Sequence, residues 1–538
     1  MAMMKVFRNG KVVTMNPAMP EASAFVVFKG RFLGVGSGDA INRWVEDGTE
    51  VVDLKGKTVA PGFIETHNHL SSYAMSLMEA NCRPETNKRI EDVKTHLREK
   101  VGKAKPGEWI KGWGYDDTLI AEKRHLTRAD LDEVSSQHPI QVFHISGHLA
   151  YANSKALEIA GIGPETPQPA GGKIHKDGHD RPTGLLLEPG AIKLVGSHIP
   201  IPSLSDIKRV FPEAVRYCHQ FGITSIHDSA IGYQGEAREV CQVYREMDEG
   251  GELNLRVYLT IMYDHYDKLI ELGLGRGFGS DSLKLGCVKL FQDGSIQGLT
   301  AALGEDYHNQ PGFKSDLIIP QESLDRLIDK YHRAGLQMAV HANGDRAIES
   351  VLQSMEKTQK SYPRSDFRHM IIHCQMASDD HIRRMKGLGV IPNYFVNHVY
   401  YWGDRHLSTF LGPRRARRID PLGSSMKAGL EFVLHSDLPV TPLDPIFSIH
   451  NAVNRITRQG EVLGPEERVP VLEALKAYTV TAAKCSFEEH LKGSIEQGKL
   501  ADFIVLSDNP LTCDSEKIKD IRVEATVMGG REVYGRIQ

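Results

Sequence analysis

Short apolar runs rich in β-branched residues alternate with helical patterns through most of the chain, and few folds are compatible with this order. Parallel strands need long crossover connections, so the alternation indicates a parallel sheet, and about eight repeats indicate a (β/α)8 TIM-type barrel. The fold class predicted is α/β. The barrel strands predicted after the first cover residues 223–227, 283–290, 336–340, 369–373, 390–392 and 430–434.

The two ends of the chain show short strands and turn signals in place of this alternation. Two such fragments can pair only if the middle of the chain folds back between them, so we expect a composite β-sandwich built from both termini. The turns predicted are hairpins at Asn9-Gly10, Lys29-Gly30, Lys55-Gly56 and Gly529-Gly530, with a further strand at 501–506.

Chain length predicts an additional unit inserted into the sequence of the barrel. A bare barrel needs about 250 residues, and far more lie between the two terminal fragments. We therefore predict an inserted α/β domain after the first barrel strand. The predicted boundaries are 1–60 with 485–538 for the sandwich, 61–75 with 215–484 for the barrel, and 76–214 for the insertion.

Composition excludes several classes of function. Lys plus Arg number 65 against 69 Asp plus Glu, so no positive field is available to hold a nucleic acid. No apolar run approaches the roughly 18 residues that span a membrane, and the start lacks a signal-peptide core. The seven cysteines are scattered without a Cys-x-x-Cys pair. We expect a cytoplasmic enzyme that acts on a small molecule, with no nucleic-acid or membrane partner.

Histidine is abundant, with 24 residues, and imidazole is the commonest metal ligand in proteins. His67 and His69 close the segment from Pro61. A strand places residues i and i+2 on one face, so the two imidazoles can point into the barrel together and chelate one metal. His-x-His alone is a weak signal, because many such pairs are structural.

Further metal-competent side chains directly follow apolar runs. His341, His373 and Asp437 each stand at the end of a predicted strand. Active sites of barrels are built at the carboxyl ends of the strands. Any one of the three could be an ordinary capping or core residue, but together they predict a metal site at this rim.

Lys289 lies inside the apolar run 285–291. An unpaired buried ammonium is costly, which leaves two interpretations. The side chain reaches solvent at the strand end, or burial lowers its pKa so that the amine takes up CO2 as a carbamate and bridges two cations.

Taken as an ordered set, these segments resemble the amidohydrolase superfamily, in particular its family 3, the YtcJ-like branch that includes N-substituted formamide deformylases. The resemblance covers essentially the whole chain. The segments that carry it are 60–69, Gly147-His148 with Asn153-Ser154, 289–295 with 300–302, 341–346, 373–375, Ser436-Asp437 with Asp444-Pro445, and 498–506.

The resemblance implies a metal-bearing barrel with a small terminal sandwich and two metal positions, of which members of the superfamily fill one or both. One local departure is His435, where a glycine often stands. By strand parity His435 shares a face with Asp437, so it either approaches the site or packs in the core. The implied ligands are His67, His69 and Asp437 for one metal, His341 and His373 for the other, and a carboxylated Lys289 between them.

The predicted activity is hydrolysis of a non-peptide amide- or formamide-like C–N bond by metal-activated hydroxide. Zn²⁺, one or two per chain, suits these ligands, although another divalent metal is an alternative. Asp437 is the predicted proton shuttle, and it shares the catalytic role with Lys289. A homodimer is the oligomer that we consider, without a sequence signal for it.

Four residues are candidates for contacting the substrate. His148 either reaches the pocket or is an ordinary hydrogen-bonded histidine. His227 either lines the pocket or caps the next helix. Trp113 and Tyr401 either wall the pocket or pack in the core.

Two other functions stay open at this stage. Deamination of a heterocycle uses the same barrel, usually with one metal and without a bridging lysine, so Lys289 discriminates. A non-catalytic small-molecule-binding barrel would keep the fold without turnover.

Overall fold

The chain is described by a computed structural model covering residues 4–46, 48–233 and 235–537. Its N-terminal segment forms short strands that divide between two sheets. These elements are β1 (Lys5–Arg8), β2 (Lys11–Val13), β3 (Glu21–Ala22), β4 (Ala24–Phe28), β5 (Arg31–Gly36), α1 (Gly38–Asn42), β6 (Glu50–Asp53) and β7 (Thr58–Pro61).

The first barrel strand and its helix follow, and the chain then leaves the barrel to form a separate six-stranded sheet of order β13-β14-β12-β11-β10-β9. The elements are β8 (Phe63–Asn68), α2 (Leu70–Ser76), β9 (Ala80–Asn81), α3 (Ile90–Val101), β10 (Ile110–Tyr115), α4 (Arg128–Asp132), β11 (Ile140–His144), β12 (Leu149–Ala152), α5 (Ser154–Ile159), β13 (Lys173–Lys176), β14 (Pro182–Leu187) and α6 (Glu188–Gly196).

The remaining elements return to the barrel and then to the terminal sheet. They are α7 (Leu204–Gln220), β15 (Ile223–Ile231), α8 (Ala237–Glu249), β16 (Arg256–Met262), α9 (Tyr263–Glu271), β17 (Leu283–Phe291), α10 (Gln321–Arg333), β18 (Met338–Ala342), α11 (Asp345–Ser361), β19 (Met370–His373), α12 (Asp379–Leu388), β20 (Ile391–Tyr394), α13 (His398–Arg405), α14 (Gly412–Ala416), α15 (Leu422–Ala428), β21 (Val433–Leu434), α16 (Pro445–Asn454), α17 (Val471–Ala477), α18 (Val480–Cys485), β22 (Phe503–Leu506), β23 (Val523–Met528) and β24 (Arg531–Gly535).

Eight strands form the central sheet in the order β21-β20-β19-β18-β17-β16-β15-β8, and all neighbours are parallel. The first and last strands approach each other, since the Thr66 hydroxyl donates to the Leu434 carbonyl at 3.2 Å. The sheet is therefore a nearly closed barrel with helices around it, and the predicted α/β barrel class is confirmed.

One barrel strand, β16, is absent from the runs predicted above. It is a seven-residue stretch of mostly apolar residues between β15 and β17. A short apolar run cannot be told from part of a buried helix by periodicity alone, and this one leads directly into α9. Pairing with strands on both sides decides that it is a strand.

The two ends of the chain pair as expected, because β7 lies antiparallel to β22. The hairpins at Lys29-Gly30 and Gly529-Gly530 are confirmed. Those at Asn9-Gly10 and Lys55-Gly56 are wrong, because β1 and β6 pair with each other in one sheet while β2 and β7 pair in the other. At both dipeptides the chain passes from sheet to sheet.

Local sequence explains the helix ends around the barrel. Helix α12 begins after Ser378, whose hydroxyl accepts from the His381 amide at 3.2 Å, and it ends at Gly389 with φ of 76°. Among the described residues, no helix combines the length and apolar character that a bilayer crossing requires.

Candidate active site

A cavity of about 70 Å³ lies at the carboxyl ends of the barrel strands and is covered by residues of the insertion. Five of the six predicted metal ligands line it, together with two candidate substrate contacts from the insertion. These residues are His67, His69, His341, His373, Asp437, His148 and Trp113.

Two histidines approach the same carboxylate oxygen. The Nε2 atoms of His67 and His69 both lie 3.3 Å from Oδ1 of Asp437. Donor atoms bound about 2.1 Å from a tetrahedral ion are about 3.4 Å apart. Each histidine nitrogen therefore has the spacing from Asp437 of a ligand that shares a cation with it. In the part of the chain that the structure describes, His67, His373 and Asp437 also form a group whose donor atoms all lie within 4.8 Å of one another. Asp437 has a left-handed φ of 58°, and such strain occurs where the fold fixes a functional side chain.

The protonation of His69 follows from its other nitrogen. Nδ1 lies 2.8 Å from the Ser229 carbonyl oxygen, which can only accept, so Nδ1 donates. In the neutral imidazole, Nε2 then carries the lone pair and faces the Asp437 carboxylate. Two acceptor atoms facing each other need a proton or a metal ion between them.

A chain of hydrogen bonds fixes His373 in the same way. Asn393 donates from Nδ2 to the Thr66 carbonyl, so its Oδ1 accepts from Nδ1 of His435 at 2.8 Å. Burial lowers the pKa of His435 to about 3, so its Nε2 is an acceptor. That Nε2 lies 3.1 Å from Nδ1 of His373, which must donate. The free lone pair of His373 is therefore on Nε2.

The imidazoles of His373 and His341 form a second pair. Nε2 of His373 lies 3.1 Å from Nδ1 of His341. Nε2 of His341 donates to the Gly294 carbonyl at 3.1 Å, which leaves the lone pair on Nδ1. Burial holds the pKa of both imidazoles well below the usual range, although the Asp437 carboxylate acts in the opposite direction, so both are neutral. Two lone pairs thus face each other, and the donor set fits a second cation.

Lys289 lies deeper, in the barrel interior, and is fully buried. Burial lowers its pKa to about 7, although the Asp437 carboxylate acts in the opposite direction. Among the described residues, its Nζ has no hydrogen-bond partner, and it lies 4.6 Å from the centroid of the Phe291 ring. The structure therefore excludes a side chain that reaches solvent and presents a buried amine that is about half neutral near pH 7.

The insertion brings His148 over the barrel mouth. Its ring centroid is 4.8 Å from that of His341, and its Nδ1 lies 2.8 Å from Oε2 of Glu188. Burial lowers the pKa of His148, but the Glu188 carboxylate outweighs it and raises the pKa above its usual value. Glu188 has φ of 63°, so the first residue of α6 is held in a strained conformation.

A buried carboxylate holds the loop that carries His341. Asp293 accepts from the amides of Asn343, Gly344 and Ala302 at 2.8–2.9 Å. These contacts close the amino end of α11 and connect the loops after β17 and β18. Burial nevertheless raises the pKa of Asp293 to about 7.

The candidate substrate contacts divide into two groups. His148 and Trp113 line the cavity. His227 does not, because it is buried in the lower barrel with its ring 4.7 Å from Tyr258. Tyr401 also lies outside the cavity lining, against Phe447. For His227 the reason is strand length: β15 continues four residues beyond it, so it is below the rim.

Sequence reasoning missed Glu188 and Asp293 as parts of the site. Glu188 directly follows the apolar strand β14, which is the same signal that identified His341 and Asp437. Asp293 lies within a segment that carries the family resemblance, but a buried carboxylate bound by backbone amides has no pattern in the sequence.

Comparison with known proteins finds similar chains over nearly the whole sequence. Residues 50–534 match the model of the amidohydrolase family. The putative amidohydrolase YtcJ of Bacillus subtilis is 29% identical, with 99% of each chain covered. An N-substituted formamide deformylase of Arthrobacter pascens is 28% identical, with 98% of each chain covered. A solved structure, an uncharacterised metal-dependent hydrolase of Pyrococcus horikoshii, superimposes with a TM-score of 0.76 at 27% identity, covering 95% of this chain and 99% of that one.

Proposed function

This chain belongs to the amidohydrolase family of metal-dependent hydrolases, and on that basis we propose that it cleaves a non-peptide C–N bond, of the amide or formamide type, in a small molecule. The observation that carries the proposal is the presence of two sets of facing acceptor atoms at the cavity floor, each of which fits a cation. One set is His67 and His69 with Asp437, and the other is His341 with His373. A relative that covers the whole chain is an N-substituted formamide deformylase, which supports the bond class.

We propose Zn²⁺ as the metal, because the donors are imidazole nitrogens and carboxylate oxygens. His67, His69 and Asp437 would hold one ion, and His341 with His373 would hold the other. Lys289, carboxylated on its neutral amine, would supply the oxygens that bridge them. Carboxylation also removes a difficulty of the unmodified chain, since an amine without a hydrogen-bond partner is costly to bury.

When bound, the metal supplies Lewis-acid polarisation of a carbonyl and lowers the pKa of bound water to about 7. The chain itself moves the proton. Burial raises the pKa of Asp437, but contacts with His67 and His69 outweigh it and hold the pKa well below its usual range. The ionised carboxylate accepts a proton from the attacking water and delivers it to the departing amine nitrogen. Water and amide become a carboxylic acid and an amine.

His148 is the residue best placed to contact the substrate from above. Its Nδ1 is engaged by Glu188, so the ring is oriented with Nε2 free for another contact. We propose that Nε2 hydrogen-bonds the group on the far side of the reacting carbonyl. Trp113 lines the same side of the cavity as an apolar wall.

All seven cysteines are free thiols, which supports the proposed cytoplasmic location.

Metal quantification of the purified protein, coupled to a hydrolysis screen, tests this function. The panel contains N-formyl and N-acyl amines, cyclic amides, ureas and aminoheterocycles. We expect up to two divalent ions per chain and turnover of an amide or formamide. Ammonia release from an aminoheterocycle, with one ion that Lys289→Ala retains, would favour deamination. Metal-loaded protein that hydrolyses no member of the panel would favour a binding barrel.

A further inference from the structure

We propose that the substrate carries a bulky, uncharged apolar group, and that this group occupies a second chamber that opens off the catalytic cavity. The inference rests on the proposed function for the identity of the reacting bond, and it adds the class of substituent. It follows from the shape of the two cavities, the residues that they share and the charges around them.

The catalytic cavity is small. Its volume of about 70 Å³ leaves room for little more than the reacting group. Pockets that hold whole small molecules usually measure about 300–1,000 Å³. The rest of any substrate must therefore lie outside this cavity.

A chamber of about 840 Å³ adjoins it. Phe143, Tyr233 and Phe291 line both spaces. The Phe291 ring is central, since its centroid lies 5.2 Å from that of His341 and 5.6 Å from that of Tyr233. A substrate whose carbonyl reaches the histidines can thus pass its substituent beside Phe291 into the chamber.

Apolar side chains from separate elements form the chamber wall. They come from α6 and the loop after it, from the end of β16, from the residues that lead into α10, and from α10 itself. Representative wall residues are Ile192, Ile199, Met262, Ile318, Ile319 and Leu327. Aromatic or branched aliphatic groups gain free energy on burial against such surfaces.

Among the described residues, the chamber walls offer no buried partner for a charged substituent. Among the described residues that line either space, the only Lys or Arg is Lys193, and it lies 3.9 Å from Asp264. Both side chains are substantially exposed, so this pair marks the outer end of the chamber. A substrate carboxylate on the substituent side, beside Phe291, would be desolvated without a Lys or Arg counter-charge. The chamber therefore selects against acylated amino acids and peptides.

Binding to the metal-loaded wild-type protein, measured by calorimetry, tests the proposal independently of turnover. The probes are N-phenethylacetamide, N-acetylphenylalanine, which adds a carboxylate to the same skeleton, and N-methylacetamide, which lacks the ring. We expect N-phenethylacetamide to bind at least about tenfold more tightly than either of the others.

Two variants locate the binding in the chamber. A Cβ atom at Gly196, the last residue of α6, would meet no other atom within 4 Å, so Gly196→Leu adds volume without a clash. We expect it to weaken N-phenethylacetamide binding about tenfold and to leave N-methylacetamide unchanged. Gly387→Leu, near the end of α12, is the matched control, because its Cβ position is equally open and lies outside both cavities.

Leu327→Arg tests the charge argument, since it places a cation on a half-buried wall position. We expect N-acetylphenylalanine to gain affinity relative to N-phenethylacetamide. Equal binding of the three probes by the wild type, or loss of binding in Gly387→Leu equal to that in Gly196→Leu, would overturn the proposal. Absence of turnover on every amide, with the expected binding order intact, would contradict the proposed function alone.

Discussion

Nε2 of His435 lies 3.1 Å from Nδ1 of His373, and this contact determines which nitrogen of His373 keeps its lone pair. The orientation is transmitted from Asn393, which is itself fixed by the backbone of the first barrel strand at Thr66. The orientation of His373, a proposed metal ligand, is thus set by strands on both sides of the barrel closure.

Replacing His435 should weaken metal binding without unfolding the barrel. Its ring stacks on Phe395 at 5.0 Å, so His435→Phe keeps an aromatic ring in place and removes the acceptor for His373. We expect metal affinity, measured by competition with a chelator, to fall about 10–100-fold. His332→Asn is the control, because it breaks an equally buried imidazole contact, with His369, away from the cavity. An equal loss in both variants would mean that only general packing was affected.

Asp437→Asn should remove proton transfer. We expect the rate to fall by about 10²–10⁴-fold on amides with alkylamine leaving groups, because the departing nitrogen then receives no proton from the enzyme. The loss should be smaller for nitroanilides, whose leaving group needs less protonation. Initial rates on the two substrate types, with metal content measured in parallel, check this. The same loss on both types would assign Asp437 to metal binding alone.

Lys289 should take up CO2 in a pH-dependent manner. Its pKa of about 7 means that the amine is mostly neutral above this pH and mostly protonated below it. Carbamate formation needs the neutral amine, so the carbamate signal from labelled bicarbonate should be strong near pH 8 and weak near pH 6. NMR of the metal-loaded protein measures it. Lys289→Met should lose the signal, whereas exposed Lys330→Met should keep it.

Glu65 should make the fold less stable as pH rises. Burial raises its pKa from 4.5 to about 8, although Ser436 donates to it from both its amide and its hydroxyl. The carboxyl pKa is higher in the folded chain than in the unfolded chain. The contribution of Glu65 to the free energy of unfolding is therefore fully present below about pH 4.5 and is lost as pH increases toward 8. Glu65→Gln imitates the protonated form and should be the more stable protein at pH 8 by up to about 5 kcal/mol.

Denaturant unfolding of the two proteins at about pH 5 and 8 measures this difference. The gap should be small at the lower pH and large at the higher one. Glu65→Ala, which leaves the Ser436 donors without an acceptor, should be destabilised at both values. A gap that does not change with pH would show that Glu65 is ionised throughout.

Sequence alone determined the elements whose signal is local. A strand presents alternate residues on one face, and this predicted that His67 and His69 point the same way. The position of a titratable residue directly after an apolar run identified His341, His373 and Asp437. The structure brings these side chains to one cavity, because parallel strands all end at the same rim. The short run of β16 and the sheet crossing at Asn9-Gly10 were not determined, because both depend on which strand pairs with which.

Tertiary structure decided everything that arises between elements distant in the chain. Glu188 reaches His148 across 40 residues, and Asn393 reaches Thr66 across 327. His227 follows the same local pattern as the rim residues yet lies below them, because strand length fixes depth in the barrel. Spacing along a chain encodes direction and periodicity, whereas distance, burial and the proton position on each imidazole depend on the neighbours that folding brings together.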